Sequence, residues 1–269
     1  LDSYTLTQSI VQAPDPEHAL QVLRLSGELA LAGFGQAQQH MLLQQRDELL
    51  ERFEDIAKDW PLDLPVQSTR FALGEHTLNA EWANGQHVWK TKPDQSAWLQ
   101  VEMRPGSVLE GKEKAKHPRA QTLTTLWLNH LVACASGTPT TSVQIGFDAA
   151  VEFLPVTADT AQAHLQNLCD AYLQAWAQPL PIAAKTACAY VMGLAAEHKD
   201  PMGKAQAAFE GGFGKSGEYA DSPALQRVFH SFEDIQPTLA DWAARLYEPM
   251  HKAAKVIHLS ADHAEEADA

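Results

Sequence analysis

Residues 122–135 read Thr-Leu-Thr-Thr-Leu-Trp-Leu-Asn-His-Leu-Val-Ala-Cys-Ala, and Ser136-Gly137 follow. The run is apolar on nearly every side, which fits a helix buried all round, and a glycine just past the end is a common helix stop. On both sides the period changes to two. In Gln67–Arg104, Phe71 and Leu73 alternate with polar residues, and Leu78, Ala80 and Trp82 alternate with Asn79 and Glu81. Asn84-Gly85 predicts a hairpin turn, Val88 resumes a strand, and Trp98–Arg104 is another, closed by Pro105-Gly106. Thr141–Phe147 and Ala150–Leu154 give two more strands. A buried helix between strand groups predicts an α/β (α+β) fold. Its central mixed sheet is built from Gln67–Arg104, an antiparallel meander, and Thr141–Leu154, with helices on its faces.

Working outward, Gln36–Trp60 is an amphipathic helix with Leu42, Leu49, Phe53, Ile56 and Trp60 on one face, ended by Pro61 and Pro65. Ala158–Ala177 is another, with Leu165, Leu168, Tyr172 and Trp176 on one face. Lys185–His198, Met202–Glu210, Pro223–Phe229 and Thr238–Ile257 read as further helices. Residues 1–35 are mixed, punctuated by prolines at Ala13–Glu17 and by Gly27, Gly33 and Gly35, and read as a linker. The expected division is therefore linker 1–35, one folded domain 36–258, and an acidic tail 259–269. The chain opens at Leu1 in mid-pattern and reads as part of a longer polypeptide.

The 269 residues carry 34 Asp and Glu against 20 Lys and Arg, a formal charge of -14. That charge argues against a surface that binds phosphate everywhere. Basic residues gather in the middle third: Lys90, Lys92, Lys112, Lys114, Lys116 and Arg119 are the DNA-binding candidates. The run Lys112–Arg119 also contains Glu113 and has no interleaved aromatics for base stacking, so a solvated loop competes with that reading. No apolar run is long enough to span a bilayer, and no signal peptide is evident. Cys134, Cys169 and Cys188 are odd in number and widely spaced, which points to a reducing cytoplasm.

Gly214-Lys215-Ser216 lacks the earlier glycine a phosphate loop needs, since Phe209 stands there, and reads as a flexible loop. None of the twelve histidines sits at zinc spacing; His251 and His258 share one expected helix but lack further ligands. Cys134 with His130 four residues before it could mimic a thiol–imidazole pair, but a buried cysteine fits the apolar helix better. The remaining constellation is that of sheet-based magnesium nucleases, which hold two carboxylates and a lysine on neighbouring strands. Glu81 and Glu102-Met103-Arg104 sit in strands, and Glu48 and Glu51 could add a carboxylate. The strand Leu78–Asn84 has no aspartate, and Arg104 replaces the lysine, so Glu81, Glu102 and Arg104 read as degenerate remnants. No catalytic residue and no metal ligand is assigned.

The stretch Leu126–Gly137 resembles the LWLxHLxxCASG segment of RecC subunits. Other stretches agree in order: Gly27-Glu28-Leu29 with Gly33-Phe34-Gly35, Arg104-Pro105, Pro179-Leu180-Pro181 with Lys185-Thr186, and Lys204-Ala205 with Phe209-Glu210-Gly211. The likeness implies the C-terminal domain of RecC in the RecBCD complex, exodeoxyribonuclease V. It implies a restriction-endonuclease-like core without its catalytic residues, following an upstream helicase-like region. It further implies RecB and RecD as partners, DNA guided within the complex during double-strand-break repair by homologous recombination, and no cofactor in this domain, ATP and magnesium belonging to the partners. The competing reading is an active magnesium-dependent nuclease of the PD-(D/E)xK type. The lysine-rich stretch 111–119 departs from the family pattern and looks like an insertion.

Overall fold

The computed structural model describes residues 3–83, 87–111, 116–212 and 214–257. Two short helices, Ser3–Val11 (α1) and Pro16–Leu25 (α2), precede the long helix Ala32–Ala57 (α3). Asp15 caps α2 by accepting from the His18 amide, and Pro16 opens it. Leu42 of α3 packs with Leu6, Ile10, Leu20 and Leu29 of this N-terminal layer. Seven residues on, Leu49 packs against the sheet. The apolar face read from the sequence thus joins two elements, while the helix itself starts and ends a few residues earlier than its periodicity suggested.

The strands that follow are Leu62–Asp63 (β1), Gln67–Leu73 (β2), His76–Trp82 (β3), Val88–Thr91 (β4), Trp98–Met103 (β5), Leu109–Glu110 (β6) and His117–Pro118 (β7). A 3-10 turn at Ala120–Thr122 leads into the apolar helix Thr124–Ala135 (α4), then Thr140–Ile145 (β8), Ala150–Phe153 (β9) and Ala158–Ala177 (α5). The central sheet has the order β1-β4-β5-β8-β9, with β5 and β8 parallel and the other neighbours antiparallel. α3 covers one face through Leu49 against Leu99, Val101, Val143 and Ile145. α4 and α5 cover the other, with Leu126, Trp127, Leu131, Phe153 and Leu165 in one core. The architecture is mixed α/β with helices on both faces, as the alternation of periods predicts.

The expected meander needs correction. β2 and β3 pair only with each other and form a separate ribbon. β1 takes the place beside β4, held there in part by the Lys90–Asp63 ion pair at 2.8 Å. The ribbon instead turns Phe71, Leu73 and Trp82 into the core under α4 and α5, where the Trp82 ring lies 5.0 Å from Trp89 and 4.8 Å from Trp98. Period-two alternation fixes that a segment is a strand, not which strand lies next to it. The turn expected at Asn84-Gly85 lies outside the described residues.

The C-terminal part is a helical lobe: Ala184–Ala195 (α6), Pro201–Glu210 (α7), the tiny hairpin Gly211–Gly212 (β10) and Lys215–Ser216 (β11), Glu218–Asp221 (α8), Pro223–Val228 (α9), Gln236–Leu246 (α10) and Glu248–Ala253 (α11). It has its own core around Ala187, Val191, Phe209, Phe232, Ile235 and Leu239. The single helix expected over Thr238–Ile257 is not formed. Pro249 opens the short α11, and Ala254–Ile257 is a strand (β12) that pairs antiparallel with β9 and completes a six-stranded sheet. Four residues are too few to separate the two periods, and the open edge of β9 decides for a strand. His258 and the tail 259–269 lie outside the described residues.

Arg52 fastens α3 to the β8–β9 turn by donating to the Gly146 carbonyl at 2.9 Å. Beside it Asp148 accepts from the Val108 and Leu109 amides at 2.8 and 3.2 Å. A Cβ at Gly146 would stand 2.6 Å from the Gly106 oxygen and 2.7 Å from Val108 Cγ1. Gly146→Ala should therefore destabilise the fold by about 1–3 kcal/mol. Gly33→Ala, in the first turn of α3 with nothing within 4 Å, should be neutral or mildly stabilising. Urea unfolding midpoints of the two variants check this; equal midpoints would contradict it.

Candidate functional site

Along β5 and β8 the apolar residues face α3, and Gln100, Glu102, Ser142 and Gln144 face α4. Most of their polar atoms are satisfied by one another, by α4 and by the turn before it, while Gln100 Nε2 is buried without a partner among the described residues. Ser142 Oγ donates to Gln100 Oε1 at 2.9 Å, and His130 Nδ1 lies 3.0 Å from Ser142 Oγ. His130 Nε2 lies 3.7 Å from Cys134 Sγ. The His130 ring is stacked on Trp127 at 5.4 Å and is fully buried. Burial holds its pKa down to about 4, opposed only partly by a hydrogen bond to the Leu154 backbone. Burial also pushes the Cys134 thiol up. A neutral imidazole next to a protonated buried thiol is a packing arrangement rather than a nucleophile.

Glu102 lies one register step along. Gln144 Nε2 donates to Glu102 Oε2 at 3.0 Å and to the Thr122 carbonyl at 3.0 Å, and Thr122 Oγ1 donates to Gln144 Oε1 at 3.0 Å. Burial raises the Glu102 pKa, with the Gln144 hydrogen bond and the Arg104 charge opposing. Arg104 turns to α1, where it donates to the Tyr4 hydroxyl at 3.2 Å and lies over the Tyr4 ring at 4.9 Å. Glu81 is exposed on the ribbon, next to Trp82, which faces the core. Glu48, paired with Arg52 at 3.2 Å, and Glu51 belong to α3, on the opposite side of the sheet. On β4 the residue facing Gln100 is Trp89. The carboxylates singled out in the sequence are thus not brought together, and this donor set does not fit a magnesium ion, which needs oxygen ligands converging on one point. Among the described residues, no group of three or more His, Cys, Asp or Glu could hold a metal.

The basic residues fall on separate elements. Lys90 is engaged with Asp63, and Lys92 lies 5.1 Å over the Trp60 ring, both at the β1–β4 edge. Lys116 is exposed ahead of β7, and Arg119 pairs with Glu110 at 3.8 Å. Lys112 and Lys114 lie outside the described residues. The Gly214-Lys215-Ser216 loop ends in a feature the sequence did not reveal. The Glu218 carboxylate accepts from the Lys185 and Thr186 amides at 3.0 and 2.8 Å, capping α6 from 32 and 33 residues away. Among the described residues, no helix is long and apolar enough to cross a membrane.

The family model of the RecC C-terminal domain matches residues 1–195, from before α1 to the end of α6. The chain belongs to the RecC C-terminal domain family. As a RecC-type domain it is part of the RecBCD complex, exodeoxyribonuclease V, which acts in DNA repair. A comparison with curated proteins gave no match. The matched residues contain the first five strands of the central sheet and the whole polar layer beneath α4.

Two outcomes are expected at this layer. An unfolded histidine titrates near 6.5, and folded His130 near 4. Between those values the unfolded chain binds the extra proton, so stability is whole above about pH 6.5 and falls as the pH drops towards 4, by on the order of 3 kcal/mol. His130→Asn should flatten that acid limb in unfolding curves taken across the pH range, although it lowers stability at pH 7. Glu102→Gln should leave stability at pH 7 equal or slightly higher, because the amide oxygen can still accept from Gln144 and no charge is then buried. A loss of several kcal/mol on Glu102→Gln would show that the carboxylate has a demanding charged partner.

Proposed function

We propose that this RecC-type domain is a non-catalytic scaffold with a restriction-endonuclease-like core, which holds partner subunits and guides DNA in double-strand-break repair by homologous recombination. The observation that carries the reading is the engagement of Glu102. Its carboxylate is tied to Gln144, which is tied to Thr122, while Glu81 sits on another sheet and Arg104 is turned to Tyr4. A nuclease would need these groups free and convergent on a metal and a scissile phosphate. Here the same positions fasten strand to strand and strand to helix. The partners are RecB and RecD, the compartment is the cytoplasm, and ATP and magnesium are used by the other subunits.

With a formal charge of -14, the domain acts through protein contacts more than through DNA. Lys90, Lys92 and Arg119 already have partners, which leaves Lys116 and its sequence neighbours Lys112 and Lys114 as the DNA-facing charges.

The test uses labelled duplex and single-stranded DNA with Mg²⁺ or Mn²⁺. The chain should not cleave either, and a RecBCD complex carrying Glu81→Gln and Glu102→Gln should keep its full nuclease activity. Cleavage by the chain that disappears in Glu102→Gln would establish the magnesium-dependent nuclease instead. By anisotropy the chain should bind duplex DNA at about 10⁻⁴ M or weaker at physiological salt. Charge reversal at Lys112, Lys114 and Lys116 should abolish that remnant while association with RecB and RecD persists.

A further inference from the structure

A largely apolar groove of about 540 Å³ lies on the face of the domain away from α3. Trp127 and Leu128 of α4 form its floor, Leu168 and Tyr172 of α5 one wall, and Leu246 and Met250 of α10–α11 the other. The α5 stripe continues beyond it. Trp176 stands one turn past Tyr172, their rings edge-on at 6.1 Å. Leu128, Tyr172 and Trp176 are 44%, 61% and 76% exposed. Large apolar side chains grouped this way on one face mark a contact surface.

We propose that this groove receives the apolar face of one helix from a partner subunit of the complex, with Tyr172 and Trp176 as the ledge it rests on. The proposal rests on the scaffold reading above. Charge selects the chemistry of the occupant. Asp170 on the α5 wall is paired with Arg245 of α10 at 3.5 Å, and Glu248 with Lys252 at 2.9 Å. No charged residue lines the groove among the described residues, and these four charges, on the helices that form its walls, are matched in pairs on a chain that is otherwise strongly acidic. An uncharged apolar face matches that lining better than an acidic or basic segment, which would lose its hydration there without a counter-charge among the lining residues. Area separates a helix from a second copy. At 61% and 76% exposure, Tyr172 and Trp176 together offer about 200–340 Å², taking roughly 150–250 Å² for each full aromatic side chain. A stable dimer needs about 800 Å² on each partner, more than this patch supplies. It is, however, the size of the anchor set of a helix in a groove, where a few side chains at i, i+3 or i+4, and i+7 carry most of the energy.

The experiment compares the full chain with a Tyr172→Glu/Trp176→Glu variant in binding to purified cognate RecB and RecD. Both side chains are exposed, so thermal unfolding of the variant should match that of the parent. Association with one of the two subunits should weaken at least about tenfold. In the parent complex, amide exchange should slow across residues 165–176 and 242–250. Unchanged affinity, or protection confined to other surfaces, would overturn the groove and leave the scaffold reading standing. A parent chain that associates with neither subunit would remove the scaffold reading itself. Concentration-dependent dimers of the parent chain, lost in the variant, would assign the groove to a second copy and overturn the partner helix.

Discussion

The parallel pairing of β5 with β8 places four polar side chains, Gln100, Glu102, Ser142 and Gln144, in the layer between sheet and helix. Burying polar groups there is costly where they find no partner, because an unmade hydrogen bond costs about 1–3 kcal/mol. His130 and Thr122 supply partners to Ser142 and Gln144 from α4 and the turn before it, and among the described residues Gln100 Nε2 is left without one. Helix position and strand register are thereby coupled: a one-residue slip of β8 would turn Ser142 and Gln144 to the apolar α3 side and leave His130 buried without its hydroxyl. The rest of the domain is arranged on this fixed centre, with α3 behind the sheet, α5 and the β2–β3 ribbon in front, and the helical lobe beyond.

The same layer sets what this face of the sheet offers chemically. Nuclease sites on such sheets work by leaving carboxylates unsatisfied until a metal arrives. In this layer Gln100, Gln144 and Ser142 present amides and a hydroxyl, and its carboxylate, Glu102, has a protein donor. The fully buried Gln100 and Gln144 do what an ion pair would do at a higher desolvation cost.

The family match stops at residue 195, yet the fold of the matched part extends past it. β12 pairs with β9, and Met250 lies in the same core as Trp127 and Phe153. Tyr247 packs against both this core and that of the helical lobe. The residues after 195 are therefore fastened to the matched part by Glu218 on the N-terminus of α6, by the Arg245–Asp170 pair to α5 and by the strand that completes the sheet. The walls of the groove come from both sides of this junction.

The sequence by itself determined the longer strands, β2 to β5 with β8 and β9, and the main helices, because hydrophobic period is a local property of the segment. It marked α4 as buried, set Leu165, Leu168, Tyr172 and Trp176 on one face, and showed that the strand Leu78–Asn84 holds no aspartate and that an arginine follows Glu102 where a lysine would stand. Together with the ordered likeness to RecC, that was enough for the family and for the expectation of a silent site. Tertiary structure alone decided which strands are neighbours, that the β2–β3 ribbon leaves the sheet while Ala254–Ile257 joins it, and that Glu102 is spent on Gln144. It also decided that the α5 stripe, continuous in sequence, is buried at Leu165 and open at Trp176. The physical reason is the same in each case. Pairing, satisfaction and exposure depend on contacts between residues far apart in the chain, and the period of a single segment carries no record of its partner.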